Sequence, residues 1–111
     1  MDITQGSDTS RFIARERPDV IINCAAFTNV DACEAHISEA FAVNATGAKN
    51  IALAGKEIGA KLIHISTDFV FDGTKNESYA ETDQPNPVSM YGKSKHKGEL
   101  AIQETSDTYT I

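Results

Sequence analysis

The chain has 111 residues, 41% of them apolar and 23% charged, which suits one globular domain with a modest core. Its formal charge of -6 argues against a nucleic-acid-binding surface. No apolar run approaches the roughly twenty residues that cross a bilayer, and the first residues lack the pattern of a secretory signal. Cys24 and Cys33 are the only cysteines. Cys24 ends an apolar run and reads as a buried free thiol rather than half of a disulfide, so a cytoplasmic location is the default expectation. In that compartment the glycosylation sequons at Asn44 and Asn76 carry no meaning.

In chain order, Ser7 or Asp8 is expected to cap a first helix that runs to about Glu16, with Phe12 and Ile13 on its apolar face. Pro18 ends it. Val20, Ile21 and Ile22 form a short β-rich run without polar alternation, the pattern of a strand buried on both faces. The small and polar stretch 25–29 reads as a loop at that strand's carboxyl end, with a short helical turn at 31–35. From residue 38 to about residue 58 apolar side chains recur at helical spacing: Ala40, Phe41, Val43, Ala48, Ile51, Ala52, Ala54 and Ile58. Ser38 suits the N-cap and Gly59 the stop.

Residues 62–66 are a second buried strand. Asp72 and Gly73 make a turn, and the polar stretch up to Pro87, with Pro85, reads as a surface loop. In it Glu77, Glu81 and Asp83 are expected to be solvated. A last helix is expected from about Ser89 to Glu104, and Tyr109 to Ile111 begin a third strand. This alternation implies an α/β fold with parallel strands, whose ligands bind beyond the carboxyl ends of the strands. Loops 24–29 and 66–71 should occupy that edge.

The sharpest local pattern is Tyr91 followed four residues later by Lys95. On a helix such residues share a face, so an ammonium stands beside a phenol. A neighbouring cation favours the ionised phenol, which can then exchange a proton with a carbonyl or alcohol oxygen. On its own the pair also fits an ordinary amphipathic helix. Ser66, Thr67 and Asp68 follow directly on a strand, where a hydroxyl can hold a substrate oxygen or merely cap the loop. Asn44 sits inside a helix, where asparagine is mildly unfavourable, for a structural or a catalytic reason. His64 reads as a satisfied core histidine. No cluster has metal-ligand spacing, and no metal is expected.

The order of these motifs is more specific than any one of them. The stretch Arg17-Pro-Asp-Val-Ile-Ile-Asn-Cys-Ala-Ala-Phe-Thr28, then Val43-Asn-Ala45, then Ile63-His-Ile-Ser-Thr-Asp-Phe-Val-Phe-Asp-Gly-Thr74, then Pro87 and Tyr91-Gly-Lys-Ser-Lys95 resemble the dTDP-4-dehydrorhamnose reductase family, within the extended short-chain dehydrogenases. The resemblance implies a Rossmann-like, doubly wound parallel sheet. It implies reduction by NADPH or NADH of the 4-keto group of a dTDP-linked deoxysugar, giving dTDP-L-rhamnose. Tyr91 would donate the proton to the sugar C4 oxygen. Lys95 would support it and hold the nicotinamide ribose. Thr67 would complete the catalytic trio and, with Asp68, touch the substrate.

The same resemblance places Asp2 and Ile3 beside the adenine, Ala26, Phe27 and Thr28 along the cofactor, and Ile65 beneath the nicotinamide. It matches Asn44 to a helix asparagine assigned to a proton relay. Phe69 and Phe27 depart from the family, which more often carries tyrosine at the first and tyrosine or histidine at the second. This bears on the sugar more than on the reaction type.

Family members are roughly three times as long. The glycine-rich turn that cradles the pyrophosphate has no counterpart here, nor does the C-terminal substrate domain. The expectation is a partial NAD(P)-binding domain over residues 1–111, inactive alone, with the Val20 strand unpaired along one side. A homodimer is compatible with the full-length family, and neither nucleic acid nor membrane is an expected partner. Two further readings share the scaffold. One is a sugar-nucleotide epimerase or dehydratase. The other is a non-catalytic subunit resembling the regulatory β subunit of methionine adenosyltransferase.

Overall fold

A computed structural model describes residues 1–111. The N-terminal helix α1 spans Gly6–Glu16. It is capped by Gln5 without a side-chain bond, not by Ser7 or Asp8, which lie inside the first turn. The hydroxyl of buried Thr9 does the local stitching, donating to the Gln5 carbonyl at 3.1 Å. Arg17 closes the helix in the left-handed region at φ 45°, and Pro18 then forbids continuation.

Strand β1 (Val20–Asn23) pairs in parallel with β2 (Lys61–His64), and β2 pairs in parallel with β3 (Tyr109–Thr110), in the order β1-β2-β3. Asn23 lies opposite His64, so β1 and β2 end together and their following loops leave from one edge. The α/β class and the parallel sheet agree with expectation.

The helical run between β1 and β2 is less regular than its periodicity suggests. Asn29 caps a short helix, α2 (Val30–Ala35), by accepting from the Ala32 amide at 3.0 Å. Then α3 (Ile37–Phe41), a π-helical segment (Ala42–Gly47) and α4 (Ala48–Ile58) follow one another. Ser38 therefore lies within α3 and His36 stands at its N-cap. Apolar spacing reports which face is buried; it does not distinguish a wide π turn from an α turn. Gly59 ends α4 at φ 75°, as its position implied.

The long helix α5 covers Met90–Thr105, with Ser89 as N-cap accepting from the Gly92 amide. The Glu34 carboxylate also accepts from the Met90 amide at 2.8 Å, placing negative charge at the positive end of the helix.

The main core gathers Ile13, Ala48, Ile51, Ala52, Ala54, Leu62 and Ile102 between the sheet and the helices. A second cluster joins Cys33, Ala40 and Tyr91, with Phe27, Val30 and Met90 against it. The opposite sheet face is bare: Ile22 is 61% exposed and Ile65 is 52% exposed. The expectation of a first strand buried on both faces is thus corrected. Within residues 1–111 only one face of the sheet receives helices. Cys24, expected to be buried, is exposed; Cys33 is buried, and both thiols are free.

Candidate active site

Tyr91 and Lys95 sit one turn apart on α5, and the close approach of two other segments holds them in place. A Cβ on Gly92 would lie 2.2 Å from the Phe69 carbonyl oxygen, and one on Gly98 would lie 2.2 Å from the Asn44 carbonyl oxygen. Glycine at these helical positions lets α5 press against the loop after β2 and against the π segment. The Phe69 ring meets the Tyr91 ring edge-on, with centroids 5.6 Å apart.

Lys95 is 2% exposed, and its ammonium donates to the Ile65 carbonyl at 2.6 Å. Burial lowers its pKa from the usual lysine value, with the Glu99 charge pulling the other way. The Tyr91 ring is buried, but its hydroxyl has no hydrogen-bond partner in the chain and is not sealed from solvent. It is free to meet a ligand.

Thr67 caps the single 3-10 turn at Asp68–Val70. Its hydroxyl accepts from the Phe69 amide at 3.3 Å and donates to the Asp68 carboxylate at 3.2 Å. It makes no hydrogen bond to Tyr91. The two meet through the loop, since Phe69 touches Tyr91 and packs on Gly92. Asp68 is exposed.

Asn44 is 1% exposed and fully engaged. Its amide oxygen accepts from the Phe27 amide at 2.8 Å. Its nitrogen donates to the Phe27 carbonyl at 3.1 Å and to the Ser94 hydroxyl at 2.9 Å. Ser94 in turn donates to the Tyr91 carbonyl at 2.8 Å. Asn44 therefore clamps loop 25–29 to the helix that carries Tyr91. Asn44 lies within the π segment, and the clamp is the structural reason for an asparagine there. Both amide hydrogens are used in the clamp.

His64 is not the satisfied core histidine expected from sequence. Its Nδ1 accepts from the Asn23 amide nitrogen at 3.0 Å, yet its buried Nε2 has no partner. Burial, with the Lys95 charge second, pulls its pKa down to about 4, so the ring is neutral near pH 7. Asn23 also accepts from the Ala25 amide at 3.1 Å, which carries the order of the strand end into loop 25–29.

Of the remaining sequence-based candidates, Ala26, Phe27 and Thr28 lie on the carboxyl edge with Ile65, as expected. Asp2 and Ile3 make their contacts with α1 and α4. The Asp2 carboxylate accepts from the Thr4 amide at 2.9 Å and the Thr4 hydroxyl at 2.8 Å, which lowers its pKa. Ile3 packs where a Gly47 Cβ would be, and its carbonyl accepts from Asn50 at 2.9 Å. It borders an apolar groove of about 410 Å³ along the open edge of β1, together with Phe12, Ile22 and Cys24.

Asp83 is not simply solvated, because it pairs with Lys75 at 2.6 Å and accepts from the Ala80 amide. Asp72 binds Thr74, Tyr79 and Asn86, so the polar loop is internally ordered.

Sequence reading missed the contacts of Ser66. Its hydroxyl bonds one carboxylate oxygen of Glu99, and the other oxygen meets His96 Nδ1 at 3.0 Å. The available signal was Glu99 at helical spacing from Lys95. These residues and Thr67 line a cleft of about 850 Å³ on the flank of α5; Tyr91 does not reach it.

The parallel sheet with helices packed on its covered face is the Rossmann-like architecture that solved reductase structures share. The family model described as RmlD substrate binding domain matches residues 1–111, and the chain belongs to that family. A dTDP-4-dehydrorhamnose reductase of Sinorhizobium fredii is 42% identical over 99% of this chain and 37% of its own length. The spore coat polysaccharide biosynthesis protein SpsK of Bacillus subtilis is 40% identical over 100% of this chain and 39% of its own. A crystal structure of the reductase from Bacillus anthracis in complex with NADP superposes with a TM-score of 0.96 at 43% identity, covering 98% of this chain and 39% of that one. The chain thus spans little more than a third of the curated relatives it matches.

Proposed function

We propose that this chain is the catalytic segment of an NAD(P)H-dependent reductase acting on the 4-keto group of a dTDP-linked deoxysugar, with dTDP-4-dehydrorhamnose giving dTDP-L-rhamnose. The observation that carries this reading is the unpartnered Tyr91 hydroxyl, one turn from a buried Lys95 docked on the end of β2. The relatives named as dTDP-4-dehydrorhamnose reductases support the substrate class.

The residues suit the nicotinamide half of a dinucleotide. Ile65 presents an exposed apolar side chain, loop 26–28 lies on the same edge, and the Tyr91 hydroxyl is free. Residues 1–111 hold no glycine-rich turn for the pyrophosphate. When bound, the nicotinamide supplies a hydride to the carbonyl carbon. Tyr91 gives its proton to the carbonyl oxygen, and the Lys95 ammonium stabilises the phenolate left behind. Thr67 is the third member of the trio that the family resemblance implies, carried on the loop that Phe69 packs against Tyr91. Asn44 keeps loop 25–29 and α5 in fixed relation throughout.

The test uses the complete reading frame with NADPH and dTDP-4-dehydrorhamnose, following loss of NADPH absorbance. Tyr91→Phe is expected to lower turnover by about 10²–10⁴-fold. Its thermal stability should be unchanged, because the hydroxyl makes no internal bond. Undiminished turnover in that variant, or conversion of the sugar without NADPH consumption, defeats the reading. The 111-residue chain alone should bind NADPH weakly and turn over nothing, so micromolar affinity would contradict this account.

A further inference from the structure

Three groups of α5 meet three successive points of the segment after β2. Gly92 lies under the Phe69 carbonyl, Lys95 holds the Ile65 carbonyl, and Glu99 holds the Ser66 hydroxyl. Thr67 is carried between these fastenings. No carboxylate forms an ion pair with Lys95, although the residue is almost fully buried. A buried ammonium without counter-charge is costly. Glu99 is one turn further along the same face, and its side chain is only 12% exposed. His64 faces Lys95 from β2 and is neutral near pH 7, and Tyr91 lies one turn before it on α5. Among these neighbours Glu99 alone is a carboxylate. Its second oxygen is occupied by His96, which fixes the carboxylate in place.

We propose that Glu99 is a positioning residue for the Tyr91–Lys95 pair, fastening the end of β2 to α5 through Ser66 and placing a carboxylate one turn from the buried Lys95 ammonium. The inference rests on the reading of Lys95 as the partner of Tyr91, but its test does not use turnover.

The experiment follows the side-chain Cε signals of lysine by NMR through an alkaline titration of the same protein used in the turnover assay. Exposed Lys93 and Lys97 serve as internal references, and Lys95→Arg gives the assignment. Glu99→Gln keeps an acceptor for Ser66 and removes the charge. It should lower the Lys95 midpoint by about one unit, roughly a tenfold loss of proton affinity, with Lys93 and Lys97 unmoved. Ser66→Ala should leave the midpoint near wild type but speed hydrogen exchange at the Ile65 and Phe71 amides, which bracket the loop. Glu99→Gln should restore the slow exchange that Glu99→Ala loses.

An unmoved Lys95 midpoint in Glu99→Gln overturns the electrostatic role. Unchanged amide exchange in Ser66→Ala overturns the fastening. If Glu99→Ala does not fold, the Gln and Ser66 variants still decide both points. A failed reductase assay beside a shifted midpoint would count against the proposed function alone.

Discussion

The two faces of the sheet are built from equally apolar strands, yet they live in different surroundings. On one face Leu62 is 0% exposed beneath α4 and α5, and His64 and Asn23 are buried beside it. On the other, Val20, Ile22 and Ile65 meet solvent. Apolar composition states that a strand can be buried on both sides; which side is buried depends on the elements that arrive to cover it. The polar groups of the candidate site follow the same division. Asn23, His64, Asn44, Ser94 and Lys95 are all on the covered side, where each unmade bond is expensive.

The sharpest way to break this comparison is to truncate both faces. Leu62→Ala should destabilise the chain by about 2–5 kcal/mol in urea titration, because the helices above it cannot collapse fully into the space. A loss below about 1 kcal/mol would mean that the covered face is not the core.

A second effect comes from His64. Its pKa is about 4 in the folded chain against 6.5 for an ordinary imidazole. The unfolded chain therefore binds the extra proton first, and stability falls as pH drops from about 6.5 towards 4. Below that the folded form is protonated too and the loss levels off. The full loss is on the order of 3 kcal/mol. His64→Gln should flatten this limb of the stability-pH curve, and an unchanged limb would remove His64 as its source.

The smallest effect is predicted on the open face. Ile22→Thr should change stability by no more than about 0.5 kcal/mol. It should also reduce any concentration-dependent association seen by light scattering, since an exposed apolar edge strand invites pairing. A large loss of stability there would show that the face is covered in solution.

Much of this division was legible in the residues. The Ser89 cap of α5 and the Gly59 stop follow from local chemistry that acts within a few residues, and the parallel sheet and its loop edge follow from the alternation of helix and strand along the chain. The Tyr91–Lys95 pair was legible because helical spacing alone brings it together. Other features depend on distant segments. Ser7 and Asp8 are good caps that the chain does not use, because Thr9 and Gln5 set the first turn instead. The exposure of Cys24, the Asp83–Lys75 pair and the orphaned His64 nitrogen depend on what packs nearby, which composition does not state. Gly92 and Gly98 did carry a signal, since glycine inside a helix calls for a reason. Their reason is two backbone carbonyls pressed into the space of a side chain.

The π segment at Ala42–Gly47 has a consequence for how this region can change. A wide turn takes up one more residue than an α turn, so it sets the phase between α3 and α4. Loss of one residue there is absorbed by closing the wide turn into an α turn, and Ala48, Ile51 and Ala52 keep their side of the core. A deletion of the same size inside α4 has no such slack and turns everything downstream by about 100° about the axis. The segment is the place in this helical run where chain length changes at least cost to the core.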